Sequence, residues 1–269
     1  YAEDGGGIHC ANSCSPTLSN LILKGNEAEQ FGGGIYFDVG SNAKVSQSLI
    51  VENSASGANG NGGGIGAMGL FLDISVQNST IAKNEAWESG SGIYVKDANP
   101  STSNFAVINS IIWNEKLKGD NLSGGQMYQE ISSKEDRTSG ISDSNFEISY
   151  SLVRNGWSGS GILSEDPSFI DYDNGDYRLS IDSPAIGVAS TSPSRDLDGT
   201  KRPYPSGTKP DLGAYEQGML TENELDSSFV SKIIYDQALL DANATAEQAI
   251  ANAKNLAKAE GIEEGKTMG

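Results

Sequence analysis

Three groups of residues in this chain have types and spacings that could do chemistry. The first is acidic: "DYDNGD" sets Asp171, Asp173 and Asp176 about Gly175, and Asp196 and Asp198 precede Gly199. Carboxylates at alternate positions round a tight glycine turn suit a hard cation that wants several oxygens, which makes calcium the candidate cofactor. The spacing does not complete an EF-hand loop, and the same aspartates also serve as turn residues that bond backbone amides. The second group is aromatic: Tyr36, Tyr94 and Trp87 could lay ring faces against a sugar, with Trp113 and Trp157 near turns as further aromatics. The third is basic: Lys83, Lys96, Arg154 and His9. An elimination on a uronate polymer needs such a base beside a sugar carboxylate neutralised by a cation. These four fall in different columns of the pattern described below and do not converge, so no catalytic residue is assigned.

The charge balance narrows the partners. Asp plus Glu number 36 against 18 Lys plus Arg, a net charge of −18. Nucleic acid and anionic membrane surfaces are therefore poor partners on electrostatic grounds. A surface glycan, a protein, or a second copy of the chain is the expected kind. No apolar run of about 18 residues occurs, which excludes a membrane-spanning helix. The chain opens "YAEDGGG" with a repeat already under way and ends "GIEEGKTMG", so it reads as an excised piece of a longer protein. Asn78, Asn121 and Asn243 head glycosylation triplets, meaningful only in a host that glycosylates.

What must position these groups is a repeat. "DGGGIHC", "FGGGIYF", "NGGGIGA" and "GSGIYV" return at intervals of 27, 30 and 28 residues, measured from Ile8 to Ile35, Ile65 and Ile93. A fixed period of tens of residues marks units that are stable only when stacked. After each glycine cluster the first and third residues are apolar and the middle one is His9, Tyr36, Gly66 or Tyr94, the alternation of a strand with one buried face. Cys10 shares a column with Phe37, Ala67 and Val95 and is read as a small core residue rather than as half of a bridge to Cys14.

A second phrase closes each unit: "LILKGN", "SLIVEN", "STIAKN", "SIIWN" and "SLVRN". An Asn stands three residues after Leu23, Ile50, Ile81, Ile111 and Leu152 in turn, giving Asn26, Asn53, Asn84, Asn114 and Asn155. Stacked about 4.8 Å apart, the aliphatic residues become an internal stripe and the asparagines a hydrogen-bonded ladder at a corner that tolerates left-handed backbone. A third apolar stretch, "AKVS" or "LFLDISV", lies between, for about three strands per coil. Strands parted by tight corners must pair in parallel with their equivalents one coil later. The expected fold is all-β, a right-handed parallel β-helix, with the glycines at corners where a Cβ would clash or φ is positive.

The period breaks between about 115 and 147, where "SSKEDRTSGISDSN" reads as a surface loop, and resumes at "FEISYSLVRN". The expected division is a β-helix over 1–216, its end segment over 158–216, and a two-helix cap or linker over 217–269. Capping boxes at "TENE" and "TAEQ" open those helices, with Leu225, Phe229, Ile233 and Leu240 as one apolar stripe and Ala249, Ile250, Ala253, Leu256 and Ala257 as the other.

The glycine and Leu/Ile-x-x-Asn phrases resemble the parallel β-helix repeats of bacterial surface proteins, including the polymorphic outer-membrane proteins. "DPSFIDYDNGDYRLSIDSPAIG", "RDLDGTKRP" and "DLGAYE" are similar to the end segment of the choice-of-anchor Q domain of secreted bacterial proteins. That family continues Ser-Pro-Ala-Ile with Asp-Ala-Gly, whereas Gly187, Val188 and Ala189 stand here. The resemblance implies an extracellular or cell-surface location; it does not imply a reaction. The expected role is thus a secreted structural or adhesive solenoid, an adhesin or spacer, binding glycan or calcium. The competing reading is a polysaccharide lyase acting on uronate polymers, or a glycan-binding remnant of one.

Overall fold

The computed structural model describes residues 2–97, 103–114, 116–117, 131–135 and 145–217. Over the described residues the chain is a parallel β-solenoid of four five-stranded sheets, against the three strands per coil expected from the sequence, followed by an antiparallel pair, Phe169–Asp171 and Asp176–Leu179. Sheet A is Ala2–Asp4, Glu27–Phe31, Ser54–Ala55, Glu85–Ala86 and Lys116–Leu117. Sheet B is Ile8–Cys10, Ile35–Phe37, Ile65–Gly69, Ile93–Asp97 and Ile131–Glu135. Sheet C is Thr17–Ser19, Asn42–Ser46, Asp73–Gln77, Asn104–Ile108 and Asn145–Ser149. Sheet D is Ile22–Lys24, Leu49–Val51, Thr80–Ala82, Ile111–Trp113 and Leu152–Val153. Sheet A leaves little trace in the sequence because most of its strands are two or three residues long and its inward column runs through small alanines, Ala2, Ala28, Ala55 and Ala86. Part of the expected surface loop is a strand as well: Ile131–Glu135 pairs in register with Ile93–Asp97.

The core is the lumen of the coil. Ile35, Ile65 and Ile93 stack on sheet B; Val45, Val76 and Val107 on sheet C; Ile50, Ile81 and Ile112 on sheet D; all are fully buried. On sheet D the register corrects the sequence reading. The inward column is Leu23, Ile50, Ile81, Ile112 and Val153, so Ile111 and Leu152, expected in the internal stripe, point outward. The phrase is one residue shorter in the last two coils, and counting back from Asn therefore lands on the wrong face. At one end of the lumen Phe146 packs on Phe105 and against Trp157, with ring centroids 5.3 and 5.6 Å apart, which makes Trp157 part of a plug.

Glycine is required at the corner between sheets A and B for two separate reasons. Gly5, Gly32, Gly62 and Gly90 have φ of 63°, 63°, 72° and 65°. At Gly34 and Gly64 a Cβ would sit 2.6 Å from the carbonyl oxygen of the glycine one coil on. The corner glycines thus serve the stacking itself.

The outward face of sheet D is apolar, with Leu49, Val51, Ala82, Ile111 and Leu152 at 5% exposure or less. It is covered by residues 164–217, which double back over the coil instead of prolonging it. Tyr177, Leu179, Ala185, Ala189 and Leu212 of this strap are buried against the sheet. Ala214 donates its amide to Thr80 Oγ1 at 3.0 Å, Gly213 its amide to the Asn109 carbonyl at 2.9 Å, and Tyr172 its hydroxyl to the Trp113 carbonyl at 3.2 Å. Parallel sheets buried on both faces read as continuous apolar runs, which accounts for "LIV", "TIA" and "IIW". Among the described residues no helix is long and apolar enough to cross a membrane. The helices expected over 217–269 lie outside the described residues, as do Asn121 and Asn243.

Candidate functional site

Two rows of hydrogen-bonded side chains flank sheet D. At its far corner Asn26 donates its backbone and side-chain nitrogens to Asn53 Oδ1 at 2.9 and 2.8 Å. Asn53 does the same to Asn84 at 2.9 and 2.9 Å, and Asn84 to Asn114 at 2.8 and 3.0 Å. Asn53 and Asn84 turn a second amide hydrogen back to the carbonyls of Leu23 and Ile50, both at 2.9 Å. Asn155 stands outside this row: it is exposed and itself takes the left-handed corner, φ 65°, where the earlier coils place Gly25, Glu52 and Lys83 just before the Asn.

At the near corner a serine row, which the sequence reading did not single out, does the same work. The amides of Leu21, Ser48, Ser79 and Ser110 donate to the Oγ of Ser48, Ser79, Ser110 and Ser151 at 3.1 to 3.3 Å. Each of those hydroxyls donates onward to a carbonyl two residues earlier at 2.8 to 2.9 Å. The sequence does carry the signal, since Ser opens four of the five closing phrases. Except before Asn114, where the shortened phrase lacks the corner residue, both corners follow one rule: a residue with positive φ, then a buried side chain that caps the coil before it. Asn20, Gln47, Asn78, Asn109 and Tyr150 supply the positive φ here. Asn78 is 5% exposed, so its glycosylation triplet is closed to modification in the folded coil.

The aromatic group is rearranged. Tyr36 and Tyr94 point outward but are each 3% exposed, because Phe31 lies between them with ring centroids 5.8 and 6.1 Å away. Gly66, between the two tyrosines in the column, leaves the room: a Cβ there would be 2.7 Å from the Gly32 amide nitrogen. His9 continues the stack on Tyr36 at 5.1 Å. Burial pushes the Tyr36 hydroxyl well above its usual range and, with Glu88 beside it, the Tyr94 hydroxyl up to about 12. The tyrosines therefore brace sheet B and offer no ring face to a sugar. Trp87, at 41% exposure, is the member of the group that faces solvent.

The basic residues lie apart. Lys83 donates to the Asp173 carbonyl at 2.8 Å and sits 5.5 Å over the Tyr172 ring. Arg154 donates to the Asn114 carbonyl at 3.1 Å and lies 5.2 Å over Trp113. Lys96 is exposed on sheet B, three coils from His9.

The candidate metal ligands are turn and clasp residues. Asp171 accepts from the Asn174 amide and side chain at 3.3 and 2.8 Å; Asp176 accepts from Arg178 Nε and Nη2 at 2.9 and 2.6 Å. Asp173 contributes its carbonyl to Lys83. Asp196, 4% exposed, accepts the amides of Thr200 and Glu216 at 2.6 and 2.8 Å. Asp198 bears on Tyr215, whose hydroxyl is raised to about 12, first by burial and then by that carboxylate. Among the described residues no three His, Cys, Asp or Glu side chains converge as a cradle for an ion.

Cys10 and Cys14 form a disulfide with Cα atoms 5.8 Å apart, which corrects the reading of Cys10 as a core residue only. It is both, 4% exposed and bridged, because the loop from Cys10 folds back at Asn12 and Ser13, with φ of 56° and 61°. No family model, curated protein or solved structure matches the chain.

Proposed function

We propose that the chain is an extracellular structural module, a stiff β-solenoid spacer or adhesive segment of a bacterial surface or secreted protein. One observation carries this reading. The groups that repeat with the coil, the asparagine and serine rows, the stacked aromatics and the apolar outer face of sheet D, are all engaged within the chain. They make a column rather than a cleft. Support for location comes from the Cys10–Cys14 disulfide, since such bridges persist in oxidising compartments, and from the likeness of 158–216 to the end segment of secreted bacterial proteins. A partner would be met on solvent-facing side chains such as Trp87 and the polar outer rows of sheet C.

The test is incubation of the full chain with a panel of uronate polysaccharides, with and without calcium, while absorbance of the unsaturated product is followed. No product is expected. Any cleavage would replace the structural reading by the lyase reading. Titration of free thiols in chain recovered from the oxidising compartment should find none.

A further inference from the structure

Four ionisable side chains meet under the end of the strap: Asp196, Arg202, Asp211 and Glu216, at 4%, 5%, 1% and 5% exposure. Each carboxylate oxygen accepts a backbone amide. Asp196 takes Thr200 and Glu216; Asp211 takes Gly187 and Gln217 at 2.7 and 2.6 Å; Glu216 takes Tyr204 and Asp211 at 2.8 and 3.0 Å. Together these bonds pin residues 187, 196–204 and 211–217 to one another. Against three carboxylates stands one guanidinium. Arg202 Nε lies 3.4 Å from Glu216 Oε2 and its Nη2 donates to the Gly213 carbonyl at 2.9 Å, while Nε and Nη1 make no hydrogen bond.

We propose that this knot is a proton-operated clasp: the excess of buried carboxylate over guanidinium draws in a proton as the medium acidifies, and the strap then grips sheet D more tightly. Burying net charge without a counter-charge is costly, and a group so placed neutralises when it can. The amides oppose this by favouring the ionised form. Each occupies one lone pair of its oxygen, however, and a carboxylate has about four lone-pair sites, so a proton can be added without displacing an amide. Asp211 and Glu216, joined by the Asp211 amide, are where burial outweighs the amides and raises both carboxyls above their ordinary 3.8 and 4.5. Burial correspondingly lowers Arg202. The charged groups that act on the knot are its own members, and Tyr215 beside it feels Asp198, Asp176 and Asp196 against Arg178.

The sign follows from linkage. The folded knot holds the proton more tightly than the unfolded chain, so closure strengthens as pH falls from neutral through the raised values. The gain levels off once the unfolded carboxyls protonate too. The strap carries the cover of sheet D, so a neutral medium is where it opens most readily.

The direct test is a carbon NMR titration of side-chain carboxyls in the full chain. Asp211 or Glu216 should titrate with a midpoint clearly above the ordinary range. In parallel, exchange of the Gly187 and Ala214 amides, corrected for intrinsic rate, should slow as pH falls from neutral through that midpoint and level off in the ordinary carboxyl range, by up to roughly tenfold in all for each pH unit by which that midpoint is raised. Asp211→Asn should remove most of that slowing. Should the variant not fold, the wild-type titration decides alone. Ordinary or lowered midpoints for both carboxyls overturn the proposal, as does exchange indifferent to pH.

Discussion

The asparagine row gives the sharpest test of how the coil is held, and Asn84→Ala is the perturbation that reads it. Asn84 is 1% exposed. Cutting its side chain at Cβ leaves the Asn53 amide without the acceptor it has at 2.9 Å, and takes from the Ile50 carbonyl the donor it has at 2.9 Å. Asn53 Nδ2 keeps the Leu23 carbonyl, and Asn114 Oδ1 keeps the Asn84 amide. One buried group is fully orphaned and one partly so, at about 1–3 kcal/mol for the first and less for the second, a loss of about 3 kcal/mol. The same change at the end of the row costs less. Asn26→Ala strips a single side-chain bond from an oxygen that keeps the Asn26 amide, for about 1 kcal/mol. Asn155→Ala, exposed and outside the row, loses no ladder bond and should cost about 1 kcal/mol for its left-handed φ of 65° alone. Urea unfolding of the three variants, followed by circular dichroism, should put Asn84 well ahead of the other two. Equal losses, or a loss at Asn84 under about 1 kcal/mol, would refute the idea that buried amides rather than lumen packing alone keep the coils in register.

Two further outcomes are expected. Gly64→Ala puts a Cβ 2.6 Å from the Gly92 carbonyl and 3.0 Å from Ile81 Cγ2, so it should prevent soluble expression or cost several kcal/mol, whereas Gly199→Ala, with open space and φ 85°, should cost only about 1–2 kcal/mol. Cys14→Ser, which opens a bridge between residues 4 apart, should lower stability by about 2 kcal/mol, and reduction of the wild type should reproduce that shift in the urea midpoint.

The coil is legible in the sequence because every coil repeats it. Ile35, Ile65 and Ile93 lie one above the other for the reason their spacing suggests, and so do Asn53 and Asn84. What is not legible lacks a period. The strap occurs once, so its return over sheet D is marked only by apolar residues on both faces of "LIV" and "IIW". Asn114 and Asn155 end phrases shortened by one residue; the first reaches the row and the second becomes the corner itself. Tyr36 and Tyr94 look like a platform because the alternation says outward, and outward residues are ordinarily wet. Phe31, from the neighbouring sheet, fills the gap that Gly66 leaves. The acidic turns match a cation site in spacing, but spacing alone does not tell a carboxylate aimed at an ion from one aimed at its own backbone, as Asp171 is at Asn174.

The architecture also decides which faces could meet a partner. Sheet D is roofed by the strap, and the outer column of sheet B is closed by its aromatic stack. Sheet C presents Thr17, Asn42, Lys44, Asp73, Asn104 and Glu147 to solvent in register across its five strands. These rows carry charges of both signs and no large exposed apolar side chain, so contact there would be polar and wet, with affinity built from many small bonds rather than one buried anchor. A face of that kind would bind weakly per coil and gain by repetition, which would suit the spacer or adhesive segment proposed above. Lys83 and Arg154, two of the basic residues the lyase reading would draw on, are held against the strap residue Tyr172 and against Trp113 beneath it.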